Sequence, residues 1–211
     1  MSMFKEVADI QTAETLKLPV PKANFKTIAV KPSEIQREMV ADLGKRADAI
    51  RKKEVDSKTD NMLKITNEGR KLALDQRLLN DMLGDFEGSK VNICANNVYE
   101  IWERTAEKKS TQLVFCDLST PNNEGKFNVY DDLKEKLINK GIPENEISFI
   151  HEANTETRKK ELFAKVRKGD VRVLIGSTAK MGAGTNVQNK IIALHHLDCP
   201  WRPADLTQRN R

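Results

Sequence analysis

The sequence has few cysteines and no long apolar run. Its three cysteines, Cys94, Cys116 and Cys199, are far apart and form no Cys-x-x-Cys pair, so neither a zinc ribbon nor a disulfide framework is expected. No apolar stretch approaches the roughly 20 residues that cross a bilayer. The first ten residues, MSMFKEVADI, are too charged for a signal peptide. We therefore expect a cytoplasmic protein with no membrane partner.

The composition is that of a folded and highly charged chain. Among 211 residues, 38% are hydrophobic and 32% are charged, and the apolar residues are clustered enough to argue against disorder. Lys and Arg number 36 against 31 Asp and Glu, which gives a net charge of +5. This charge permits a polyanionic partner without demanding one. The length suits one domain with an appendage, or two small domains.

The first 85 residues are predicted to be helical and irregular. A short helix is predicted at residues 4–10, and an extended connector follows because prolines interrupt the sequence as far as Pro32. Ser33 and Gln36 form a capping-box pattern, which predicts a helix over residues 34–53. A second helix is predicted over residues 67–82. We expect residues 1–85 to form an appendage that packs against the rest of the protein.

Residues 86–211 alternate between helical and strand-like segments. Helices are predicted over residues 90–109, 128–141 and 155–169, and strands over residues 111–118, 146–151, 171–177 and 190–198. This alternation predicts an α/β fold with a doubly wound parallel sheet and helices on both faces. Ligands of such sheets bind beyond the carboxyl ends of the strands, which is where IGSTAKMGAGTN and DCPW would lie.

Three short motifs suggest a ligand without settling it. GDFEGSK at residues 84–90 has three residues between its glycines and Ser before Lys, whereas a P-loop has four and the reverse order, so a small P-loop kinase is disfavoured. His195 and His196 are neighbours on a predicted strand, so their rings point to opposite faces and no metal site is expected. GAG at residues 182–184 lacks the third glycine of a dinucleotide fingerprint, because Val187 occupies that position.

From residue 111 to residue 208 the chain resembles the second RecA-like domain of superfamily 2 helicases and translocases. TQLVFCDLST looks like the strand of motif IV, and FIHEANTETRKKELFAKVRKGDVRVLIGST is similar to the segment that leads into motif V. The Swi/Snf-like branch has a motif V of Ser, four residues and Gly-x-Gly-x-Asn. Ser177, Gly182, Gly184 and Asn186 match that spacing.

The next motif of that branch is also matched in register. It reads Asp-x-x-Trp-x-Pro followed by Gln, and DCPWRPADLTQ supplies Asp198, Trp201, Pro203 and Gln208. In addition, MFKEVADIQ and DNMLKITNEGRKLALDQRLL look like segments of large helicase proteins of phages and mobile elements. The expected fold is therefore a RecA-like domain preceded by a mainly helical segment.

The resemblance implies one half of an ATP-dependent DNA helicase or translocase. ATP and Mg²⁺ would be bound mainly by the first RecA-like domain of the same parent polypeptide, and this chain would form the other wall of the nucleotide cleft. Gly182, Gly184 and Asn186 would face the cofactor. Gln208 and Arg209 would begin motif VI and act in catalysis.

The resemblance also implies contacts with the backbone of DNA. Ser177, Thr178 and Thr185 carry hydroxyl groups that donate to phosphates, and His151 and Arg158 are further candidates. Contacts of this kind position a strand without reading its sequence, and they weaken as salt increases.

The chain departs from the family pattern in motif VI. Family members place an arginine finger at the fourth position after the glutamine, but QRNR ends at Arg211, three positions after Gln208. The sequence also has neither a Walker A lysine nor an Asp-Glu pair at a strand end, which phosphoryl transfer requires. We expect a domain truncated within motif VI that does not hydrolyse ATP alone. The alternative is a non-catalytic nucleic-acid-binding or protein-interaction module with a helicase-like fold.

Overall fold

Four parallel strands form one sheet in the computed structural model, which describes residues 22–121, 125–181 and 187–210. The strands are β1 (Thr111–Phe115), β2 (Ile147–Phe149), β3 (Val173–Gly176) and β4 (Ile191–His196). Their order across the sheet is β2-β3-β1-β4, and each neighbouring pair is parallel. Every residue of β1 and β3 is buried, as expected for interior strands covered on both faces.

Seven α-helices surround or precede this sheet within the described residues. They are α1 (Glu34–Arg51), α2 (Met62–Leu74), α3 (Lys90–Arg104), α4 (Val129–Asn139), α5 (Glu156–Lys168), α6 (Thr178–Met181) and α7 (Pro203–Arg209). Helix α4 connects β1 to β2, and α5 connects β2 to β3. No helix in the described ranges is both long and apolar enough to cross a membrane.

The two faces of the sheet carry separate hydrophobic cores because side chains alternate along each strand. Val114 of β1 packs in one core with Val98 of α3 and Leu133 of α4. Leu113 packs in the other core with Val166 of α5. The predicted α/β fold, a doubly wound parallel sheet with helices on both faces, is therefore confirmed, and it is consistent with a RecA-like domain.

Local capping signals located two helices well. Ser33 caps α1 by accepting from the backbone N–H of Gln36, whose side chain accepts from the N–H of Ser33 in return. Thr155 caps the start of α5, and Gly169 ends that helix with a φ of 84°. Both boundaries were predicted to within a residue or two because the capping residues themselves are diagnostic.

The second predicted helix was placed wrongly. It was expected over residues 67–82, whereas α2 spans Met62–Leu74. Asn61 begins the helix by accepting from the N–H of Lys64, and Asp75 ends it in an extended conformation. The Asp75 carboxylate then caps a 3-10 turn at Gln76–Leu78. The two polar caps therefore determine where α2 begins and ends, and the apolar spacing on which the prediction depended does not.

The strands are shorter than predicted. The segment at residues 146–151 was expected to be a strand throughout, but β2 ends at Phe149 and a 3-10 turn occupies Ile150–Glu152. The predicted helix at residues 4–10 lies outside the described residues.

The helical segment and the sheet domain share a hydrophobic core. Leu74, at the end of α2, is buried in the same core as Val91 of α3. Helix α1 in turn packs on α2, where the Gln36 side chain donates to the carbonyl of Leu72 at 2.8 Å. The segment before residue 85 therefore has α2 packed on the domain and α1 packed on α2.

We expect Gly169→Ala to destabilise the protein by about 1.5 kcal/mol, because a left-handed backbone strains any residue with a Cβ. The added Cβ would also lie 2.5 Å from the carbonyl oxygen of Lys109. Gly44→Ala is the matched control, since Gly44 lies within α1 and a Cβ added there would meet no described atom within 4 Å. That variant should be stabilised by up to about 1 kcal/mol. Urea unfolding measures the change in the free energy of unfolding of each variant, and the two changes should have opposite signs. Changes of the same sign would contradict the argument.

Candidate functional site

Side chains from three strand ends meet at the carboxyl edge of the sheet. Phe115 of β1 is in register with Gly176 of β3 and with His196 of β4. Asp117, Thr178 and Asp198, each two residues beyond those positions, consequently lie side by side. Arg209, at the end of α7, joins them. We call Asp117, Thr178, Asp198 and Arg209 the Arg209 cluster.

The guanidinium group of Arg209 is buried and bonded through every nitrogen. Its Nε donates to the Thr178 hydroxyl at 2.7 Å. Its Nη2 donates to the carboxylates of Asp117 at 2.7 Å and Asp198 at 3.1 Å. Its Nη1 donates to the backbone carbonyl of Asp198 at 2.9 Å. With only 3% of the residue exposed, the charge is compensated by the chain itself, as a buried cation requires.

Asp117 connects the two short helices that follow β3 and β4. Its Oδ1 accepts from the backbone N–H of Thr178, and its Oδ2 accepts from the Thr178 hydroxyl, both at 2.7 Å. The same Oδ2 accepts from Arg209. Burial is the largest influence and raises the pKa of Asp117, but the donors on Thr178 and the charge of Arg209 outweigh it. The net result is a pKa below the ordinary range, so Asp117 is ionised at neutral pH.

Asp198 holds the end of β1 against the end of β4. Its Oδ2 accepts from the backbone N–H groups of Asp117 at 2.6 Å and Leu118 at 2.8 Å. Its Oδ1 faces Arg209, so both carboxylate oxygens have partners. The motif position predicted for Asp198 is therefore a structural junction between two strands.

The two adjacent histidines face opposite sides of the sheet, as the sequence predicted. The His196 ring stacks on Phe115 at 5.5 Å between centroids, and its Nε2 lies 3.0 Å from Oδ1 of Asn210. His195 instead pairs through Nε2 with Oε1 of the buried Gln112 at 2.9 Å. Burial, followed by the charge of His196, lowers the pKa of His195 to about 4. Within the described ranges no group of three His, Cys, Asp or Glu residues could hold a metal ion.

The predicted motif residues fall into three groups. Thr178 and Arg209 lie in the Arg209 cluster, and Ser177 is buried directly before Thr178. Gln208 is exposed on α7 beside the buried Arg209. The predicted contacts Gly182, Gly184, Thr185 and Asn186 lie outside the described residues, immediately after α6 in the sequence.

His151 lies in the 3-10 turn that follows β2. Its ring meets the edge of Tyr130 at 5.3 Å between centroids. Burial, followed by the charge of Lys180 on α6, lowers the pKa of His151. Its Nδ1 is buried without a hydrogen-bond partner among the described residues. This candidate therefore lies next to α6, although its ring does not join the Arg209 cluster.

Arg158 is placed differently from the other candidates. It lines an open cleft of about 480 Å³ between β2 and α5. The cleft also contains Lys165 and three acidic residues, Glu152, Glu161 and Asp170. Acidic side chains therefore outnumber basic ones, so the surroundings of Arg158 do not favour a nucleic-acid backbone.

The stretch at residues 84–90 has a structural role. Ser89 caps α3 by accepting from the backbone N–H of Asn92 at 3.2 Å, and Lys90 is the first residue of that helix. The phosphate-loop interpretation that the sequence disfavoured therefore gains no support.

Sequence reasoning missed Asp117. The available signal was an acidic residue just after a buried apolar strand, at the edge of the sheet where ligands bind.

No family model matches the chain, and no curated protein matches it.

Proposed function

We propose that this chain is the second motor domain of an ATP-dependent DNA helicase or translocase. It would form one wall of a nucleotide cleft and one track for the DNA backbone. ATP and Mg²⁺ would be held mainly by the first RecA-like domain of the same parent polypeptide.

The observation that carries the proposal is the hydrogen bond between Arg209 and Thr178. These residues belong to the two segments that resemble motifs V and VI, and they are 31 residues apart in the chain. They meet at the carboxyl edge of a parallel sheet, where ligands of doubly wound folds bind. The contact therefore supports a shared site for the two segments.

The geometry assigns different tasks to neighbouring residues. The Thr178 hydroxyl donates to Asp117 and accepts from Arg209, so we assign it to holding α6 rather than to a phosphate. Gln208 is exposed and is therefore free of that packing role. On this proposal Gln208 meets the nucleotide, while Arg209 holds α7 in place.

The carboxylates of this chain do not suit a magnesium site. The oxygens of Asp117 and Asp198 accept from N–H and O–H donors and lie against a guanidinium group. A divalent cation there would face the positive charge of Arg209. This supports the assignment of Mg²⁺, and of the triphosphate chemistry it supplies, to the first domain.

ATP hydrolysis by the parent polypeptide, containing both domains, tests the proposal. Duplex DNA should stimulate its ATPase, and Gln208→Ala should lower the stimulated rate by roughly tenfold, because nucleotide contacts across the cleft would be lost. Gln188→Ala is the matched control, since this exposed glutamine precedes β4 at the opposite edge of the sheet. An ATPase that no nucleic acid stimulates would overturn the proposal.

A second candidate is a nucleic-acid-binding module without turnover. It is favoured by the burial of Arg209, whose nitrogens are all bonded within the chain. This candidate requires duplex DNA binding by the 211-residue chain that falls with salt and does not respond to ATP. Fluorescence anisotropy with labelled duplex, with and without the first domain and ATP, separates it from the motor.

A further inference from the structure

We propose that Asp117 is a positioning residue that makes α6 and α7 a single unit, so that the motif V and motif VI segments keep a fixed geometry towards the nucleotide. The inference rests on the proposed function. It assigns a task to a residue of the segment that resembles motif IV, at a position that was not among the predicted site residues.

The two helices are too short to hold themselves in place. Helix α6 has four residues and α7 has seven, well below the length at which a helix is stable alone. Asp117 supplies α6 with the acceptor that its first N–H lacks, because its Oδ1 bonds to the N–H of Thr178. Through Oδ2 it also holds Arg209, the last residue of α7. One carboxylate therefore anchors both helices.

The two carboxylates of the cluster have different tasks. Asp198 bonds to Arg209 through Oδ1 and its carbonyl, and to the backbone at Asp117 and Leu118. These contacts hold α7 and the strand ends and do not need the Asp117 side chain. Of these two carboxylates, that of Asp117 accepts from both Thr178 and Arg209. The bond from Arg209 Nε to the Thr178 hydroxyl also joins the helices, so changing Asp117 should loosen the link between α6 and α7 while the sheet remains folded.

Asp117→Asn separates the two functions of this carboxylate. The amide oxygen can still accept from the N–H of Thr178. The amide nitrogen would face the Thr178 hydroxyl and Arg209 Nη2, two groups that donate to Oδ2 in the native protein. The guanidinium nitrogen has no acceptor, so the bond to Arg209 is lost, whereas the Thr178 hydroxyl can rotate and accept from the amide. Asp81→Asn, at an exposed position, is the matched control.

The first test needs no enzymatic activity. Hydrogen exchange of the 211-residue chain should be faster in Asp117→Asn than in the native chain at α6 and α7, by about tenfold. Exchange at α1, which packs on α2, should be unchanged, and Asp81→Asn should match the native chain throughout. Unchanged exchange at α6 and α7 would overturn the inference, whether or not the parent polypeptide is an ATPase.

The second test uses the parent polypeptide. Asp117→Asn should lower kcat by about tenfold with less than a threefold change in the KM for ATP, since misplacement weakens the transition state more than binding. Thr178→Val removes the hydroxyl between Asp117 and Arg209 and should also lower kcat. Thr178→Ser keeps a hydroxyl at this position and should retain the native kcat. The double variant Asp117→Asn, Thr178→Val should be no slower than either single variant.

The outcomes distinguish this inference from the proposed function. If the double variant lowers kcat by about a hundredfold, the two effects multiply and the two residues act independently. That result would overturn the inference. Faster exchange at α6 and α7 together with an unchanged kcat would also overturn it. If exchange responds but no nucleic acid stimulates the ATPase, the proposed function fails and only the mechanical link between α6 and α7 stands.

Discussion

Replacement of Arg77 by methionine is expected to destabilise the folded chain by about 3 to 5 kcal/mol, because it leaves the buried carboxylate of Asp75 without its cation. Arg77 lies in the 3-10 turn after α2, and its side chain is 10% exposed. It donates to both oxygens of Asp75 at 2.9 and 2.7 Å and to both oxygens of Asp132 in α4 at 3.0 and 2.9 Å. Methionine would retain much of the volume but none of these bonds.

The control for this prediction is an exposed ion pair. Arg37 bonds to Glu34 at 3.0 Å, and both side chains are more than half exposed, so Arg37→Met should cost less than about 0.5 kcal/mol. Arg77→Lys should fall between the two, since lysine keeps the charge and loses the planar fork. Urea unfolding at pH 7.5 measures all three. Equal midpoints for Arg77→Met and Arg37→Met would contradict the proposed importance of this network.

Lowering the pH from 7.5 to 5.0 is expected to reduce the free energy of unfolding by about 2 kcal/mol through His195. Its pKa is about 4 in the folded chain, because it is buried and lies near His196, against about 6.5 when unfolded. Above pH 6.5 the imidazole is neutral in both states. Between the folded pKa of about 4 and the unfolded pKa of about 6.5, the unfolded chain binds a proton that the folded chain does not. The free energy of unfolding therefore decreases as the pH falls through this range.

Unfolding of His195→Gln tests this explanation. Glutamine can still donate to Oε1 of Gln112, but it cannot titrate, so the variant should lose less stability between pH 7.5 and 5.0 than the native chain. Some pH dependence should persist, because the pKa values of His151 and His196 are also lowered. An identical loss of stability in the variant and the native chain would show that His195 is not responsible.

Much of the fold could be predicted from the sequence because its signals are local. Alternating strand-like and helical segments were sufficient for the parallel sheet, and Ser33 and Gly169 marked helix ends directly. The boundaries of α2 were predicted wrongly because two polar caps at Asn61 and Asp75 outweighed the hydrophobic spacing. Strand ends were extended too far because apolar residues such as Ile150 continue into a 3-10 turn.

The Arg209 cluster could be predicted only in part, because it depends on contacts between distant residues. Motif spacing drew attention to Asp198 and Arg209, but Asp117 is separated from Arg209 by 92 positions. Their meeting requires the strand order and the register of β1 with β3 and β4. A short motif encodes neither the strand order nor the register. The contact of Asp117 with Arg209 could therefore not be predicted from the sequence.

The position of β1 has a consequence for synthesis on the ribosome. This interior strand is made before its neighbours, because β3 begins only at Val173 and β4 only at Ile191. At typical rates of about 5 to 20 residues per second, the nascent chain would expose both faces of β1 for several seconds. Chaperone binding in that interval would protect the strand from aggregation until β4 completes the sheet.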